Sequence, residues 1–379
     1  IEDEDAPQLI RDLTGILHPL LIRMRQSSTI CIAAINGACA GGGLAPQLIR
    51  SLKNSKIYKN VKVFGVDMNP DAAGKDFADY FQAVSSGRSK NFIGQIIKIC
   101  KKFKINIIIP GSDEDALNLS KNRLRIEKNV TKIACVSFKT LKILSNKSKT
   151  YDYLKKFNIP LPTWYEAKNQ KELFMYIKKI TQINKDVVLK PSVSRGGRDV
   201  YIISKKNKIE KFKNNGREVE LNINIFKKKY LKKIKKIFPL VVMEKLYAPC
   251  YDFDMLCKNG KLIKGVTRRR VNPSVPNDGH YVENRKDILN IGKKIAKCFN
   301  LTWLYDCDFM LDRQNKPKII EINPRMSGSV AVSVAAGIPL LDNLISIYKN
   351  KKIKKSKQIS KKIIIPSISL FNVKKSKLF

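Results

Sequence analysis

Short apolar runs alternate with amphipathic stretches along the first third of the chain. Three of these runs predict strands: TICIAAIN, NVKVFGVDMNP and INIIIP, at residues 29–36, 60–70 and 105–110. Two stretches with helical spacing lie between them: PQLIRSLKNSK and NFIGQIIKICKKFK, at residues 46–56 and 91–104. Because strands and helices that alternate at this interval build βαβ units, the pattern predicts a parallel, doubly wound, Rossmann-like sheet.

A glycine-rich loop follows the first of these predicted strands. It contains Gly37 and the run Gly41 to Gly43, and it precedes the first predicted helix. Residues 29–45 are therefore predicted to supply the first strand and the first strand-to-helix turn, with the ligand side at the strand's carboxyl end. A single glycine-rich turn is weak evidence for dinucleotide binding, and a simple tight turn fits the pattern equally well.

Two apolar strands in the second half of the chain end in polar groups. In VVLKPSVSRGGRDVYII (187–203), a strand delivers Lys190 and a loop with two glycines follows. A lysine beside such a loop can hold phosphate oxygens, although a plain hairpin with an exposed lysine fits about as well. In LVVMEKLYAPCYDFDML (240–256), Glu244 to Leu246 follow the strand and form either a hinge that pairs with an adenine edge or an ordinary strand end.

A third motif carries a denser set of oxygen ligands. The segment LYDCDFMLDRQNKPKIIEINPRMSGS (304–329) predicts two strands joined by the turn DRQNKP. Since side chains alternate along a strand, Asp306 and Asp308 share one face of the first strand, and Glu321 and Asn323 share one face of the second. Cross-strand pairing would bring Asp308, Glu321 and Asn323 together as oxygen ligands for Mg²⁺, whereas the plain alternative is a polar, solvent-facing sheet surface.

Composition narrows the class of protein. The chain has 379 residues and a net charge of +42, with lysines spread along it rather than clustered with aromatic residues and arginines. A spread of this kind favours compositional bias over a nucleic-acid site, so a basic nucleic-acid-binding protein is kept as the rival interpretation. None of the eight cysteines forms a C-x-x-C pair or lies beside a histidine, which favours reduced thiols in a cytoplasmic protein over a zinc site. No apolar run reaches the roughly 18 residues that a membrane span needs.

The charge changes abruptly near residue 50. Residues 1–50 carry a net charge of −1, and the other 329 carry +43. The segment ICIAAINGACAGGGLA (30–45) resembles the crotonase (enoyl-CoA hydratase) superfamily, in which a backbone N–H, at Gly42 here, polarises a thioester carbonyl. Ala45 stands where many hydratases carry a catalytic Glu, and one donor alone does not make an oxyanion hole. We therefore interpret residues 1–45 as a crotonase-like segment without crotonase activity.

The motifs from the two polar strand ends and the acidic hairpin together resemble the ATP-grasp superfamily. The likeness is closest to the half-domain of carbamoyl phosphate synthetase large chains and related carboxylate–amine ligases, and it spans residues 46–347. It implies an α/β fold with a Rossmann-like pre-ATP-grasp domain at 46–145 and a two-lobed α+β ATP-grasp domain at 146–347. The lid lobe is expected at about 160–245, and a Lys-rich segment follows at 348–379.

The resemblance also implies roles for individual residues. The expected nucleotide ligands are phosphate cations, lid residues, a hinge and a ribose ligand: Lys147, Lys190, Ser192, Arg195, Gly196, Gly197, Arg198, Glu244, Lys245, Leu246 and Asp252. The expected Mg²⁺ (or Mn²⁺) ligands are Asp308, Glu321 and Asn323, and the expected catalytic arginines are Arg325, Arg268 and Arg270. The chain departs from the family at two positions: Asp199 replaces the last lid glycine, and Cys250 replaces the usual ribose-binding acid, so Asp252 is assigned that role.

These observations predict an ATP-dependent ligase that activates a carboxylate as an acyl phosphate for attack by an amine. The expected partners are ATP, Mg²⁺, and a small-molecule acid and amine, in a cytoplasmic protein with no membrane partner and no nucleic acid. A homodimer is compatible with the resemblance. The alternatives are the nucleic-acid-binding protein and a catalytically inactive hybrid with a vestigial hydratase fragment. The basic stretch FKKKYLKKIKKIFP (226–239) is expected to be a surface helix of the lid lobe rather than a lipid- or RNA-binding helix.

Overall fold

Three sheets organise the protein. A computed structural model describes residues 30–35, 44–55, 57–128, 131–183, 186–194, 197–204, 210–213, 218–275, 278–353 and 362–367. The first sheet has five parallel strands in the order β3-β2-β1-β4-β5: β1 (Ile30–Ile35), β2 (Val61–Asp67), β3 (Tyr80–Ala83), β4 (Ile107–Pro110) and β5 (Lys132–Ile133). The predicted Rossmann-like sheet is confirmed, with β1 at its centre. The glycine loop at 36–43 lies outside the described residues, as does most of the crotonase-like segment.

Amphipathic helices pack against this first sheet. They are α1 (Ala45–Lys53), α2 (Phe92–Phe103), α3 (Asp113–Lys121), α4 (Arg123–Glu127) and α5 (Phe138–Leu144). Helix α2 buries a stripe at helical spacing, from Phe92 through Ile96 to Ile99. Helix α3 begins where β4 ends, because Ser112 caps it by accepting the N–H of Asp115. This places the acidic first turn of α3, which starts at Asp113, at the carboxyl edge of the sheet.

The second sheet forms a separate small lobe. Its strands are ordered β6-β11-β7-β8-β10-β9: β6 (Trp164–Ala167), β7 (Asp186–Pro191), β8 (Val200–Ser204), β9 (Lys211–Lys213), β10 (Glu218–Leu221) and β11 (Leu240–Glu244). Helix α6 (Lys147–Lys155) leads into the lobe, and α7 (Gln170–Ile183) packs on it. The basic stretch is helical, as α8 (Ile223–Ile225), a π-helical turn (Phe226–Tyr230) and α9 (Leu231–Ile234). Phe226 and Ile234 of that segment are buried in the lobe's core, so the predicted apolar stripe packs onto the lobe.

The third sheet is antiparallel and carries the acidic hairpin. Its strands are ordered β16-β15-β12-β13-β14-β17: β12 (Tyr247–Lys258), β13 (Lys261–Arg270), β14 (His280–Glu283), β15 (Trp303–Leu311), β16 (Pro317–Asn323) and β17 (Lys362–Ile364). Helices α10 (Lys286–Cys298), α11 (Val330–Ala335) and α12 (Leu340–Tyr348) accompany it. The Lys-rich tail thus returns to the sheet, where β17 pairs with β14.

The distribution of apolar side chains separates the small lobe from the rest. The first and third sheets share two continuous cores, in which Ile108 of β4 and Phe253 of β12 belong to one cluster, and Ile32 of β1 and Leu304 of β15 belong to the other. The second sheet has its own core. A cleft therefore opens between the second and third sheets. Along the described part of the chain, no helix is both long enough and apolar enough to cross a membrane.

Candidate nucleotide and metal site

The cleft between the second and third sheets has a volume of about 810 Å³, and the polarity of its lining changes along its length. One end is apolar and is lined by Val188, Met243, Leu246, Met310 and Ile320. Strand β15 runs along the floor, and since side chains alternate, Met310, Asp308 and Asp306 follow one another into the cleft. The cleft therefore changes from an apolar pocket to an ionic centre and then to an acidic far end.

Two lysines and a glutamate form the ionic centre. Asn146 caps helix α6 by accepting the N–H of Lys149, which places Lys147 in the first helical turn. Lys147 Nζ lies 2.9 Å from Glu321 and 2.6 Å from the carbonyl oxygen of Ser194. Lys190 Nζ lies 3.1 Å from the hydroxyl of Tyr151. Both predicted phosphate cations thus face the same space as the predicted metal ligand.

The charges of this centre are tightly coupled. Burial and the neighbouring charge of Lys147 lower the pKa of Lys190 from 10.5 to about 7. Burial opposes ionisation of Glu321, but Lys147 and Lys190 outweigh it, so the pKa of Glu321 lies below its usual value. Crowding two lysines in a desolvated centre is unfavourable without anions. The arrangement is therefore prepared for a multiply charged anion.

The hairpin aligns its acids as the alternation predicted. Asp308 lies opposite Glu321, and Asp306 lies opposite Asn323, which donates to Asp306 Oδ2 at 3.0 Å. Asp306 and Asp308 each have a buried Oδ1 atom without a hydrogen-bond partner in the described part of the chain. Burial raises the pKa of Asp308 to about 7, against the opposing charge of Arg270. Asp306 was not among the predicted ligands, although its two-residue spacing from Asp308 could have indicated it.

The residues present fit a divalent cation. Carboxylate and amide oxygens are the ligands that Mg²⁺ prefers, and orphaned buried carboxylate oxygens need a cation or a proton. The predicted ligands Asp308, Glu321 and Asn323 all line the cleft. Within the described residues, the carboxylates of Asp252, Asp306 and Asp308 also lie within 4.8 Å of one another. Asp308 belongs to both sets.

Asp252, the predicted ribose ligand, lines the cleft, but other side chains engage its carboxylate. Its carboxylate is bound by Arg270 and accepts a hydrogen bond at 2.6 Å from the His280 ring, with 2% of the residue exposed. It lies opposite Asp308 in the sheet, at the ionic centre rather than at the apolar end. Burial disfavours its charge, but Arg270 and His280 outweigh this and hold the pKa of Asp252 well below its usual value.

Arg268 and Arg270, the two predicted catalytic arginines of β13, differ in how deeply their side chains are buried. Arg270 lines the cleft and lies 3.3 Å from Asp308. Arg268 is fully buried, donates to both carboxylate oxygens of Asp254 at 2.9 and 3.0 Å, and does not line the cleft. The position of Arg268 therefore does not support its predicted catalytic role. Arg268 and Arg270 do share one face of β13, as alternation predicted, but Arg268 lies two residues further from the strand's end. It also donates a hydrogen bond to the Ser329 hydroxyl.

Two of the three predicted hinge residues line the cleft, and the third holds two segments of the lobe together. Lys245 and Leu246 line the cleft, and Lys245 is held by Asp186 at 3.0 Å. The carboxylate of Glu244 accepts the backbone N–H of Thr163 at 2.7 Å, and the residue does not line the cleft. The Glu244 side chain therefore joins β11 to the segment before β6, and this contact competes with its predicted role in binding adenine.

The predicted phosphate lid is only partly described. Gly197, with a φ of +68°, lines the cleft, and Arg195 and Gly196 lie outside the described residues. Arg198 lines a second, smaller depression with Tyr201, separate from the cleft that contains Lys147 and Lys190. Ser192 is fully buried and exchanges a 2.8 Å hydrogen bond with Ser148, so its side chain supports the start of α6 instead of reaching a ligand.

Arg325 reaches the cleft from the segment after β16. Its Nη1 donates to the carbonyl oxygen of Met326 at 2.9 Å, and its Nε lies 3.4 Å from Asp113 Oδ1. Asp113, at the start of α3, comes from the first sheet's domain and was missed by the sequence analysis. Burial raises the pKa of Asp113, and the charge of Arg325 opposes that shift.

Comparison with known proteins gives three successive family matches. Residues 38–134 match the family described as PylC-like, N-terminal domain. Residues 135–229 match sugar-transfer associated ATP-grasp, and residues 236–369 match ATP-grasp in the biosynthetic pathway with Ter operon. The crotonase resemblance gains no support from these matches.

Individual relatives agree with the family matches. The carbamoyl phosphate synthase large chain of Clostridium acetobutylicum is 22% identical over 309 residues, which cover 78% of this chain and 26% of that protein. The chain spans between 19% and 52% of the length of the curated relatives it matches.

Solved structures establish the fold independently of sequence identity. N5-carboxyaminoimidazole synthetase of Staphylococcus aureus, complexed with ADP, superposes with a TM-score of 0.62 at 15% identity, covering 89% of this chain and 80% of that one. A biotin carboxylase–beta-gamma-ATP complex from Campylobacter jejuni gives a TM-score of 0.65 at 16% identity, covering 88% and 73%. The chain therefore has the ATP-grasp fold, preceded by a parallel α/β domain.

Proposed function

We propose that this protein is an ATP-dependent ligase that joins a carboxylate to an amine. The observation that carries the proposal is the convergence of Lys147, Lys190, Glu321 and Asp308 beside an apolar pocket in one cleft. The apolar end is suited to a purine base, and the lysines to a polyphosphate. The nucleotides named in the solved relatives, ADP and an ATP complex, support a nucleotide as the ligand.

The lysines change partners when a nucleotide enters. Without a ligand, Lys147 forms an ion pair with Glu321 and donates a hydrogen bond to the Ser194 carbonyl oxygen. A phosphate chain supplies stronger anionic acceptors, so Lys147 turns to the phosphates and Glu321 becomes available as a metal ligand. Asp308, Glu321 and Asn323 are the residues that would hold Mg²⁺, or Mn²⁺ in its place. A bound divalent ion would neutralise charge on the terminal phosphates.

The reaction follows from positioning and charge. A carboxylate oxygen attacks the γ-phosphorus, the bond from that phosphorus to the β-phosphate oxygen breaks, and ADP leaves. The amine nitrogen then attacks the acyl carbon, a C–N bond forms, phosphate departs, and the amine proton passes to solvent. Arg270 and Arg325 line the cleft and stabilise the transferred phosphate. Arg268 is a positioning residue, because it contacts Asp254 and Ser329 and does not line the cleft. No covalent nucleophile is required.

Several properties remain predictions on this reading. The substrates are expected to be a small-molecule acid and a small-molecule amine. A cytoplasmic location and a homodimer are expected from the sequence and the family resemblance. The domain boundaries at 45, 145 and 347 are likewise predictions.

The test is nucleotide binding followed by trapping of the acyl phosphate. Thermal unfolding of the full chain is measured with ATP, with MgCl₂ and with both, and saturation at 100 times the Kd adds about 2.7 kcal/mol. Carboxylic acids are then screened for ADP release with hydroxylamine as the amine, which converts an acyl phosphate to a hydroxamate that gives a coloured complex with Fe³⁺. We expect a shift that needs both ATP and Mg²⁺, and hydroxamate with at least one acid. No stabilisation by Mg·ATP would contradict the proposal and favour the inactive hybrid.

A further inference from the structure

Tyr151 connects three elements of the candidate site. It lies one turn after Lys147 on helix α6 and is 1% exposed. Its hydroxyl donates to the carbonyl oxygen of Ile320 on β16, the residue before Glu321. The same hydroxyl oxygen accepts a hydrogen bond from Lys190 Nζ at 3.1 Å. One side chain therefore ties the nucleotide-facing ends of α6, β7 and β16 together.

The surroundings of Tyr151 fix the position of its hydroxyl. The ring packs edge-on against Trp164 with 5.3 Å between ring centroids, and it belongs to the apolar cluster at the base-binding end. Because the ring is buried on both sides, the hydroxyl has little freedom to leave Lys190. The ammonium of Lys190 also lies 5.5 Å from the centre of the Tyr151 ring.

The hydrogen bonds of Lys190 leave one donor for a ligand. An ammonium group has three N–H donors. Among the described residues, its acceptors are the Tyr151 hydroxyl and, at 3.3 Å, the Ile320 carbonyl oxygen. Lys190 is 5% exposed and lines the cleft, so its remaining donor is available to an anion there.

We propose that Tyr151 is a positioning residue that orients the Lys190 ammonium toward a nucleotide phosphate through its hydroxyl. The inference rests on the proposed function, because it takes the anion in the cleft to be a phosphate of ATP. A phenolic oxygen that accepts from the lysine and donates to a carbonyl defines the direction of the lysine, which a ring without the hydroxyl cannot do. This role differs from packing of the Tyr151 ring in the apolar pocket, because the hydroxyl affects binding of the phosphates and not of the base.

The chain provides a matched control two residues away. Tyr153 lies on the same helix, and its hydroxyl also donates to a backbone carbonyl, that of Cys298 at 3.0 Å, on the opposite side from the cleft. Tyr151→Phe and Tyr153→Phe thus each remove one hydrogen-bonded hydroxyl from α6 without changing ring size. Only the first removes an acceptor from Lys190.

The experiment measures the Kd of ATP, ADP and adenosine by calorimetry for the full chain with Mg²⁺. We expect Tyr151→Phe to weaken ATP and ADP by about tenfold, the size of one hydrogen bond to a charged group, and to leave adenosine unchanged. Tyr153→Phe should leave all three unchanged. An equal loss of adenosine and ATP affinity in Tyr151→Phe would overturn the proposal in favour of a role in shaping the base pocket, and unchanged ATP affinity would overturn it outright.

A double-mutant cycle tests whether Tyr151 and Lys190 act on ATP through the same contact. In a Lys190→Met background, Tyr151→Phe should have no further effect on ATP binding, since the two groups act through one contact. Additive losses would overturn the proposal. Failure of the wild-type chain to bind ATP would refute the proposed function itself, whereas wild-type binding with an insensitive Tyr151 refutes only this inference.

Discussion

Asp113 and Arg325 form an ion pair across the junction between the first sheet's domain and the cleft, with 3.4 Å between Oδ1 and Nε. Each side chain is 17% exposed, so the pair is largely shielded from water. Arg325 is the residue proposed to contact the transferred phosphate, and its position therefore depends on a carboxylate from another domain. The pair therefore links helix α3 to the proposed site of phosphate transfer through Arg325.

Asp113→Asn should loosen Arg325. The amide keeps the size of the carboxylate but removes its charge, which leaves a partly buried guanidinium with a weaker partner. We expect the free energy of unfolding to fall by about 1–3 kcal/mol and ADP formation to slow by about tenfold. Urea unfolding and an ADP-release assay measure the two effects.

Glu114→Gln is the matched control for that variant. Glu114 is the next residue of α3, but its ion-pair partner Arg88 is 79% exposed and lies away from Arg325. Exposed pairs contribute little, so this variant should change neither quantity appreciably. Equal effects of both variants would show that the charge of the helix's first turn matters and the contact with Arg325 does not.

Nucleotide affinity should weaken as the pH rises above 7. Burial and Lys147 lower the pKa of Lys190 to about 7, so the unliganded folded protein loses this charge above that pH. A phosphate favours the charged lysine, so ATP binding above pH 7 takes up a proton. The Kd should increase with pH by at most about tenfold per unit. Calorimetry at pH 8.5 in HEPES and in Tris measures the proton, and a buffer-independent enthalpy would contradict the prediction.

The same lysine affects stability in the opposite direction. In the unfolded chain Lys190 keeps its proton up to its ordinary pKa of 10.5. The unfolded state therefore binds more protons than the folded state between pH 7 and 10.5, and this residue makes the free energy of unfolding rise with pH over that window. Lys190→Met should remove both pH effects together.

The sequence predicted most of the fold because its signals are local. The runs that became β1, β2 and β4 are short and apolar, and the spacing in α1 and α2 is helical. The hairpin of β15 and β16 and the shared face of Asp306 and Asp308 follow from a turn signal and two-residue alternation. Local patterns therefore gave the strand pairing of the hairpin together with its predicted metal ligands.

The features that the sequence did not predict depend on contacts between distant segments. Asp252 appeared free to hold a ribose because its partner Arg270 lies on another strand. Arg268 and Arg270 share a face by alternation, but their depth depends on how β12 and β15 cover β13. Asp113 and Tyr151 act through Arg325 and Lys190, far away in the chain, so no local pattern marked them. Pairing across the fold decided which charged groups face the cleft.

Glu321→Gln should weaken both roles of Glu321 together. The carboxylate pairs with Lys147 at 2.9 Å and is a predicted metal ligand, whereas an amide is a weak partner for both. We expect ADP formation to be abolished and the added stabilisation by Mg²⁺ over ATP alone to be lost. Glu166→Gln, on the edge strand β6, serves as the control. Unchanged turnover in Glu321→Gln would contradict the metal assignment.

Two helical glycines test the packing that supports the acidic strands. A Cβ atom at Gly292 on α10 would lie 2.2 Å from the Phe253 ring of β12, whereas a Cβ atom at the exposed Gly94 on α2 would have nothing within 4 Å. Alanine favours a helix over glycine by about 1 kcal/mol at either site. Gly94→Ala should therefore raise the free energy of unfolding by about 0.5–1 kcal/mol, and Gly292→Ala should lower it by about 1–3 kcal/mol because overpacking outweighs the helical gain. Urea unfolding of both variants measures the difference, and equal stabilisation would show that α10 does not press on Phe253 as closely as the structure has it.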